Sequence, residues 1–289
     1  MAHLIPSTST DKYAAAPSPT KVAAAVSVQT TIRDVLGAGY DTFLQGSYKN
    51  DTGIADINDV DIVVVRKNTT STVFTKTVAT HPITWKQIFD EVQSKLEDSQ
   101  YYRGKTKLGD KCITVNTTFK ADVVPAILIS SDGADPISVY SFRERSERLN
   151  FPRMHYQNNV EKNRRTGTAY KPTVRMFKRW AKSWFAGTKV APSFYIECLI
   201  HNVPDDKFFS DKAASFFLVG MYIVQNFSTT STIMSVAGDK NILTDKEWPP
   251  VSFDAFHKQL IVSMGKVAQA FSAKSALEAQ RLWQEAFNE

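Results

Sequence analysis

The chain has 289 residues, enough for one large domain or two modest ones around a shared cleft, and its 43% hydrophobic and 22% charged content is that of an ordinary globular protein. A net charge of +6 suits an anionic ligand such as a nucleotide without demanding one. Two cysteines, Cys112 and Cys198, exclude a disulfide framework and a zinc cluster and fit a reducing cytoplasm; no apolar run reaches the length of a membrane span, and the N-terminus lacks the basic start and apolar core of a secretory signal.

In chain order, residues 1–19 are rich in Ser, Thr, Pro and Ala and read as a partly flexible arm. Residues from about Thr20 to Leu36 form an amphipathic pattern closed by Gly37, which predicts a helix. Tyr40 to Gln45 predicts a short strand that feeds Gly46-Ser47, and Lys49 to Asn58 is a polar loop. The β-branched run Ile62 to Val65 predicts a buried strand. A Thr-rich connection, Asn68 to Thr80, precedes a second helix over Trp85 to Leu96, with Ile88, Phe89, Val92 and Leu96 at helical spacing. Lys111 to Thr117 and Thr118 to Ile129 are strand-like. After Ser130 the pattern turns helical, and from Asp205 onward it reads as helical throughout, for example over Ala213 to Asn226 and Phe253 to Ala273.

The chemistry concentrates in FLQGSYKNDTGIADINDVDIVVVR, Phe43 to Arg66. Asp59 and Asp61 lie two apart at the mouth of the strand, so both face one way and Val60 the other. Two adjacent carboxylates repel and are costly to desolvate, and a divalent cation with a taste for hard oxygen removes that cost; Mg²⁺ is the natural ligand. A strand that begins in a turn would also place Asp here. Upstream, Gly46 lets the backbone approach a phosphate closely, and Ser47 offers an N–H and a hydroxyl to it. Asp122, in TFKADVVPAILIS, is an isolated acid in an apolar strand: it is either the third carboxylate of a two-metal site or a solvent-facing residue of an edge strand, which Pro125 would tolerate.

Further on, Lys162 to Lys182 holds eight basic residues and no acidic one. Its latter half predicts a helix with Pro172 in the first turn, and Lys171, Arg175, Lys178 and Lys182 share one face while Val174, Phe177, Ala181 and Trp184 point inward. The basic face is a solvated surface or a cradle for a triphosphate. Ser193 follows Pro192 at a helix start and could cap that helix or touch a phosphate; Phe194 and Tyr195 could stack on a base or pack inside. Asn163 and Thr166, ahead of the basic helix, could read a base edge, since an amide both donates and accepts. None of the five histidines has metal-ligand spacing.

QGSYKNDT, DVDIVVV, ADVVPA, VRMFKRW and PSFYIE, in that order, resemble the bacterial cGAS/DncV-like nucleotidyltransferases of the DNA polymerase β-like superfamily, over roughly Gln45 to Asn202. The resemblance implies a bilobed α+β fold: a catalytic core at residues 20–135 with a mixed β-sheet carrying the acids, a helical lobe at 136–289, and nucleotides bound in the cleft between. It implies that Gly46 and Ser47 hold the donor triphosphate, with Gln45 beside them as a nucleotide-binding residue, and that Asp59, Asp61 and Asp122 ligate two Mg²⁺ ions, for which Mn²⁺ can substitute, Asp122 also helping to deprotonate the attacking hydroxyl. It carries Lys178 and Ser193 over as triphosphate contacts and Phe194 as the stacking aromatic; Asn163 stays a nucleotide-binding candidate on its amide chemistry alone. It further implies NTP substrates (ATP, GTP, UTP or CTP) joined into a cyclic di- or trinucleotide second messenger for anti-phage CBASS defence. Accessory proteins and a product-activated effector would be the partners. Two cysteines cannot build the zinc-binding DNA-sensing insert of animal cGAS, so no double-stranded DNA activator is expected. The same core motifs would serve a linear oligonucleotide synthetase, or a nucleotidyltransferase acting on RNA or protein, of the toxin or tRNA-end adder type. A catalytically dead nucleotide-binding scaffold has no support, because all three aspartates are present.

Overall fold

The computed structural model describes residues 7–57, 59–70, 83–117, 119–129 and 135–289; most of the Thr-rich connection, 71–80, lies outside them. The chain forms two units. One holds residues 17–51 and 56–156; the other holds 52–55 and 157–289 together with the described N-terminal residues up to Ala16.

The first unit is a seven-stranded mixed sheet covered by helices α2 (Pro19–Leu36) and α4 (Trp85–Asp98). Helix α2 starts at the Ser18 cap and stops at Gly37, which has φ +75°. Helix α4 starts with a Thr84/Gln87 capping box and buries Ile88, Phe89, Val92 and Leu96, the four residues that the periodicity selects. In the sheet, β1 (Tyr40–Gln45) pairs antiparallel with β2 (Asp59–Thr70), and β2 pairs parallel with β5 (Lys120–Leu128). The continuous apolar run of β2 follows from burial on both faces. Val60, Ile62 and Val64 pack with α2 and α4 residues such as Ile32 and Phe89, while Val63 and Val65 pack with Ala126, Ile137 and Val139.

Strand β5 is central, not an edge. Beyond β2, its other side pairs with β4 (Ile113–Val115) as far as Val123 and with β6 (Ile137–Ser141) from Ala126 onward. Pro125 falls between the two partners, where its missing N–H interrupts neither ladder. Strand β3 (Thr106–Leu108) extends the sheet beyond β4, and β7 (Ser146–Asn150) extends it beyond β6. The expectation of helices directly after Ser130 is therefore corrected: β6 and β7 come first, and helix α5 (Pro152–Arg165) follows. The division between units falls at 156/157, not at 135/136, because these two strands stay with the sheet.

The helical unit contains α1 (Ser7–Ala14), α6 (Tyr170–Phe185), α7 (Ser193–His201), α8 (Lys212–Asn226), α9 (Pro250–Phe271) and α10 (Ala276–Ala286). Its core is aromatic, with Tyr170, Phe177, Trp180, Phe216, Trp248, Phe253, Phe256, Trp283 and Phe287 fully buried. The stretch 227–249 is irregular, held by the Met234–Asn241 bridge, so the chain beyond Asp205 is not helical throughout. The flexible arm predicted for residues 1–19 is also corrected within the described residues. Helix α1 docks on this core: Tyr13 is buried, stacks on Phe287 with centroids 3.8 Å apart, and hydrogen-bonds Glu289 at 3.2 Å. Residues 52–55 belong to this unit too, with Thr52 fully buried.

Candidate active site

Strand register assembles the acids. In the parallel β2–β5 pair, Asp61 stands level with Asp122 and Asp59 with Lys120; on the other side of β2, Gln45 stands level with Asp61. Level residues on neighbouring strands share a face, as do residues two apart on one strand, so Asp59, Asp61, Asp122, Lys120 and Gln45 all project from the same face. Protein atoms crowd the Asp61 carboxyl while one side stays open to solvent. That partial desolvation, then the charges of Asp59 and Asp122, push its pKa up to about 6, with Lys120 opposing. Each Asp122 oxygen has a donor: the Thr114 hydroxyl at 2.7 Å and the Lys120 ammonium at 3.1 Å.

The Gly-Ser pair packs directly against this cluster. Gly46 opens the short helix α3 (Gly46–Asn50) at φ +67°, and a Cβ at that position would collide with the Asp61 carboxylate. Glycine is required twice over, by backbone conformation and by close approach. Ser47 is the next residue of that turn. Beside it, the Gln45 Oε1 and the Tyr48 hydroxyl are buried with no hydrogen-bond partner among the described residues. Among the described residues no three His, Cys, Asp or Glu side chains close into a ready metal cage. The donor set nonetheless fits a hard divalent cation: carboxylate oxygens, mutually repelling, with the pKa of Asp61 raised first by desolvation and then by that repulsion.

The remaining predicted residues lie in the helical unit. Lys178 is corrected from a triphosphate contact to an interior residue: it is 5% exposed, ion-paired with Glu197 and 2.9 Å from the Thr52 hydroxyl. Glu197 further accepts from Thr52 and from Asn159, both at 2.6 Å, and Asn159 accepts from the Tyr170 hydroxyl at 2.7 Å. The predicted basic face thus breaks up, because Lys178 turns inward, Arg175 donates to the Ala14 carbonyl at 2.7 Å and Lys182 stays exposed. Thr166 is buried and its hydroxyl donates to the Lys162 carbonyl, so it is no base reader; the Asn163 carboxamide oxygen accepts from the Lys171 N–H at the start of α6. Ser193 is the first residue of α7, exposed, and its side chain does not cap that helix. Phe194 is also exposed and meets Tyr195 edge-on, whereas Tyr195 stacks on Trp248 with 9° between the planes.

Residues 157–265 match a model of the cGAS/DncV-like nucleotidyltransferase C-terminal helical domain. Over 208 residues the chain is 30% identical to the cyclic dipurine nucleotide synthase of Elizabethkingia meningoseptica, which covers 63% of this chain and 70% of that protein. The chain belongs to the cGAS/DncV-like nucleotidyltransferases. It is also 34% identical over 192 residues to the cyclic UMP-AMP synthase of Rhodothermus marinus, spanning 58% of this chain and 65% of that enzyme's length. A solved structure of the Rhodothermus marinus CdnE c-UMP-AMP synthase with Apcpp and Upnpp superimposes with a TM-score of 0.73 at 26% identity, over 94% of this chain and 99% of that one. The mixed sheet with a helical unit is thus the polymerase β-like fold of these enzymes.

Sequence reasoning about this nucleotidyltransferase overlooked Lys120 and Thr114. Lys120 had a signal: it lies two residues before Asp122 and so must share its face. Thr114 had none, because its place beside Asp122 depends on the β4–β5 register, which sets the two level.

Proposed function

We propose that this chain joins nucleoside triphosphates by attack of a ribose hydroxyl on an α-phosphate, releasing pyrophosphate, and closes the product into a cyclic di- or trinucleotide. The observation that carries this reading is the parallel register that sets Asp61 level with Asp122 while Gly46 packs against Asp61. On this reading Asp59, Asp61 and Asp122 hold Mg²⁺, which when bound neutralises charge developing on the entering and leaving oxygens. Asp122, oriented by Thr114, helps to take the proton of the attacking hydroxyl. The Gly46–Ser47 turn and Gln45 receive the donor triphosphate. Ser193, exposed at the start of α7, offers a hydroxyl to a phosphate, and the exposed Phe194 ring stacks on a base. Asn163 offers the nucleotide its amide nitrogen, while its oxygen already accepts from the Lys171 N–H at α6.

A cyclic product requires two transfers in one site, with the linear intermediate turned and bound again. Such a product would act as a second messenger to an effector in anti-phage CBASS defence. The relatives carry different bases in their names, UMP-AMP in one and two purines in the other, so the product is a matter for assay. The test supplies the four NTPs singly and in pairs with Mg²⁺ or Mn²⁺, followed by anion-exchange separation before and after phosphatase, and mass spectrometry. Released pyrophosphate and a phosphatase-resistant product are expected. Phosphatase-sensitive chains alone would make the chain a linear oligonucleotide synthetase, and product formed only with added RNA or protein would make it a macromolecule modifier.

A further inference from the structure

The third aspartate is already held by a cation of the chain's own. Lys120 stands two residues before Asp122 on β5 and level with Asp59 on β2, so its side chain rises from the face that carries all three carboxylates. Its ammonium lies 3.1 Å from Asp122 Oδ2, while Oδ1 accepts from the Thr114 hydroxyl at 2.7 Å. These two partners are not equivalent. A neutral hydroxyl orients a carboxylate and remains compatible with its ligating a metal, as outer-shell donors commonly do. An ammonium on the second oxygen repels an arriving divalent cation and occupies a lone pair open to that cation. The Lys120 side chain is 44% exposed against 22% for Asp122, so the flexible stem can swing its charge into water while the carboxylate stays.

We propose that Lys120 is a built-in competitor for the metal, holding Asp122 until a divalent cation displaces it and thereby setting the metal affinity of the site. The inference rests on the reading of Asp59, Asp61 and Asp122 as the metal site. It makes the free chain a weaker binder of divalent cations than three converging carboxylates imply, and it places the control of metal loading in one side chain outside the ligand set.

The experiment measures binding of Mn²⁺ alone to the full-length chain by electron paramagnetic resonance of the free ion, at neutral pH and low ionic strength. Lys120→Met is expected to bind Mn²⁺ about tenfold more tightly than wild type, a screened fraction of the full Coulomb interaction at such a half-exposed place. Lys120→Gln, with a polar head on a similar stem, is expected to do the same and guards against a folding defect, which circular dichroism would reveal. Lys120→Arg keeps the charge and should bind as wild type. In an Asp122→Asn background the gain from Lys120→Met should shrink to about twofold or less, since paired residues are non-additive. An undiminished gain there would reduce Lys120 to a general field effect and overturn the proposal. Unchanged affinity in both Lys120→Met and Lys120→Gln, with binding lost in Asp59→Asn/Asp61→Asn, would also overturn it and leave the metal-site reading standing. Wild-type affinity in Asp59→Asn/Asp61→Asn would instead sink that reading and this inference with it.

Discussion

Lys178 and Glu197, nineteen positions apart, form an ion pair withdrawn from water, their side chains 4% and 3% accessible. The pair is hydrogen-bonded further by Thr52, by Asn159 and, through Asn159, by Tyr170. Removing one partner of such a pair strands a buried charge, which costs about 3–5 kcal/mol, whereas removing both can be nearly neutral. Glu197→Gln and Lys178→Met should each lower the denaturation midpoint strongly, and the double variant should lose less than the sum of the two. Urea unfolding of the four proteins measures this; additive losses would mean that the two side chains do not act as a pair.

Asp59→Asn combined with Asp61→Asn should abolish product formation and leave the fold intact. Folding raises the Asp61 pKa from the ordinary carboxylate value of about 4 to about 6, so the native state holds this proton more tightly than the unfolded chain does. In the absence of metal, the stability of wild type relative to the double variant should then fall as pH rises from about 4 to about 6; carboxylates elsewhere with lowered pKa values, such as Asp205 and Glu285, cancel in that comparison. Thermal melts across this range, with a chelator present, check the point. A double variant that melts like wild type at every pH would contradict the origin assigned to the shift.

Gly46→Ala forces a positive φ on an L residue and drives a methyl group into the Asp61 carboxylate. The backbone term costs about 1–2 kcal/mol of stability. The larger effect should be on turnover, because displacement of a reacting group by an ångström can lose about 10²-fold. Steady-state rates beside a melting curve separate the two, and near-normal turnover would remove Gly46 from the site.

Phe194→Ala changes a half-exposed ring that meets Tyr195 edge-on, so its melting temperature should fall far less than that of Tyr13→Ala. Loss of base stacking, worth about 1–3 kcal/mol, should let the linear, triphosphate-bearing intermediate escape about tenfold more often relative to cyclic product. Ion-exchange analysis with and without phosphatase reads the ratio. An unaltered ratio would place the stacking surface elsewhere.

Tyr13→Ala removes a buried ring that stacks on Phe287 and hydrogen-bonds Glu289. Truncating a buried aromatic costs about 3–5 kcal/mol, so this variant should unfold at clearly lower denaturant concentration than wild type. A shift under about 0.5 kcal/mol would mean that α1 does not contribute to the helical core.

The sequence alone determined what depends on neighbours along the chain. The spacing of Asp59 and Asp61 sets a shared face, the run Ile62 to Val65 demands burial, and the apolar period of residues 85–96 specifies a helix and its buried stripe. These follow from backbone geometry, which repeats every two residues in a strand and every 3.6 in a helix. Tertiary structure decided everything that rests on a partner distant in sequence. A basic helix reads the same whether its lysines face water, a phosphate or a buried glutamate, and only the folding of Glu197 and Thr52 against Lys178 selected the last. Pro125 reads as an edge signal, yet β5 is central because two different strands share its far side. Likewise Asp122 reads as a lone acid until the β2–β5 register sets it level with Asp61 and leaves Lys120 as its counter-charge. Charge pairing and burial are properties of what surrounds a side chain in space, and spacing along the chain does not encode them.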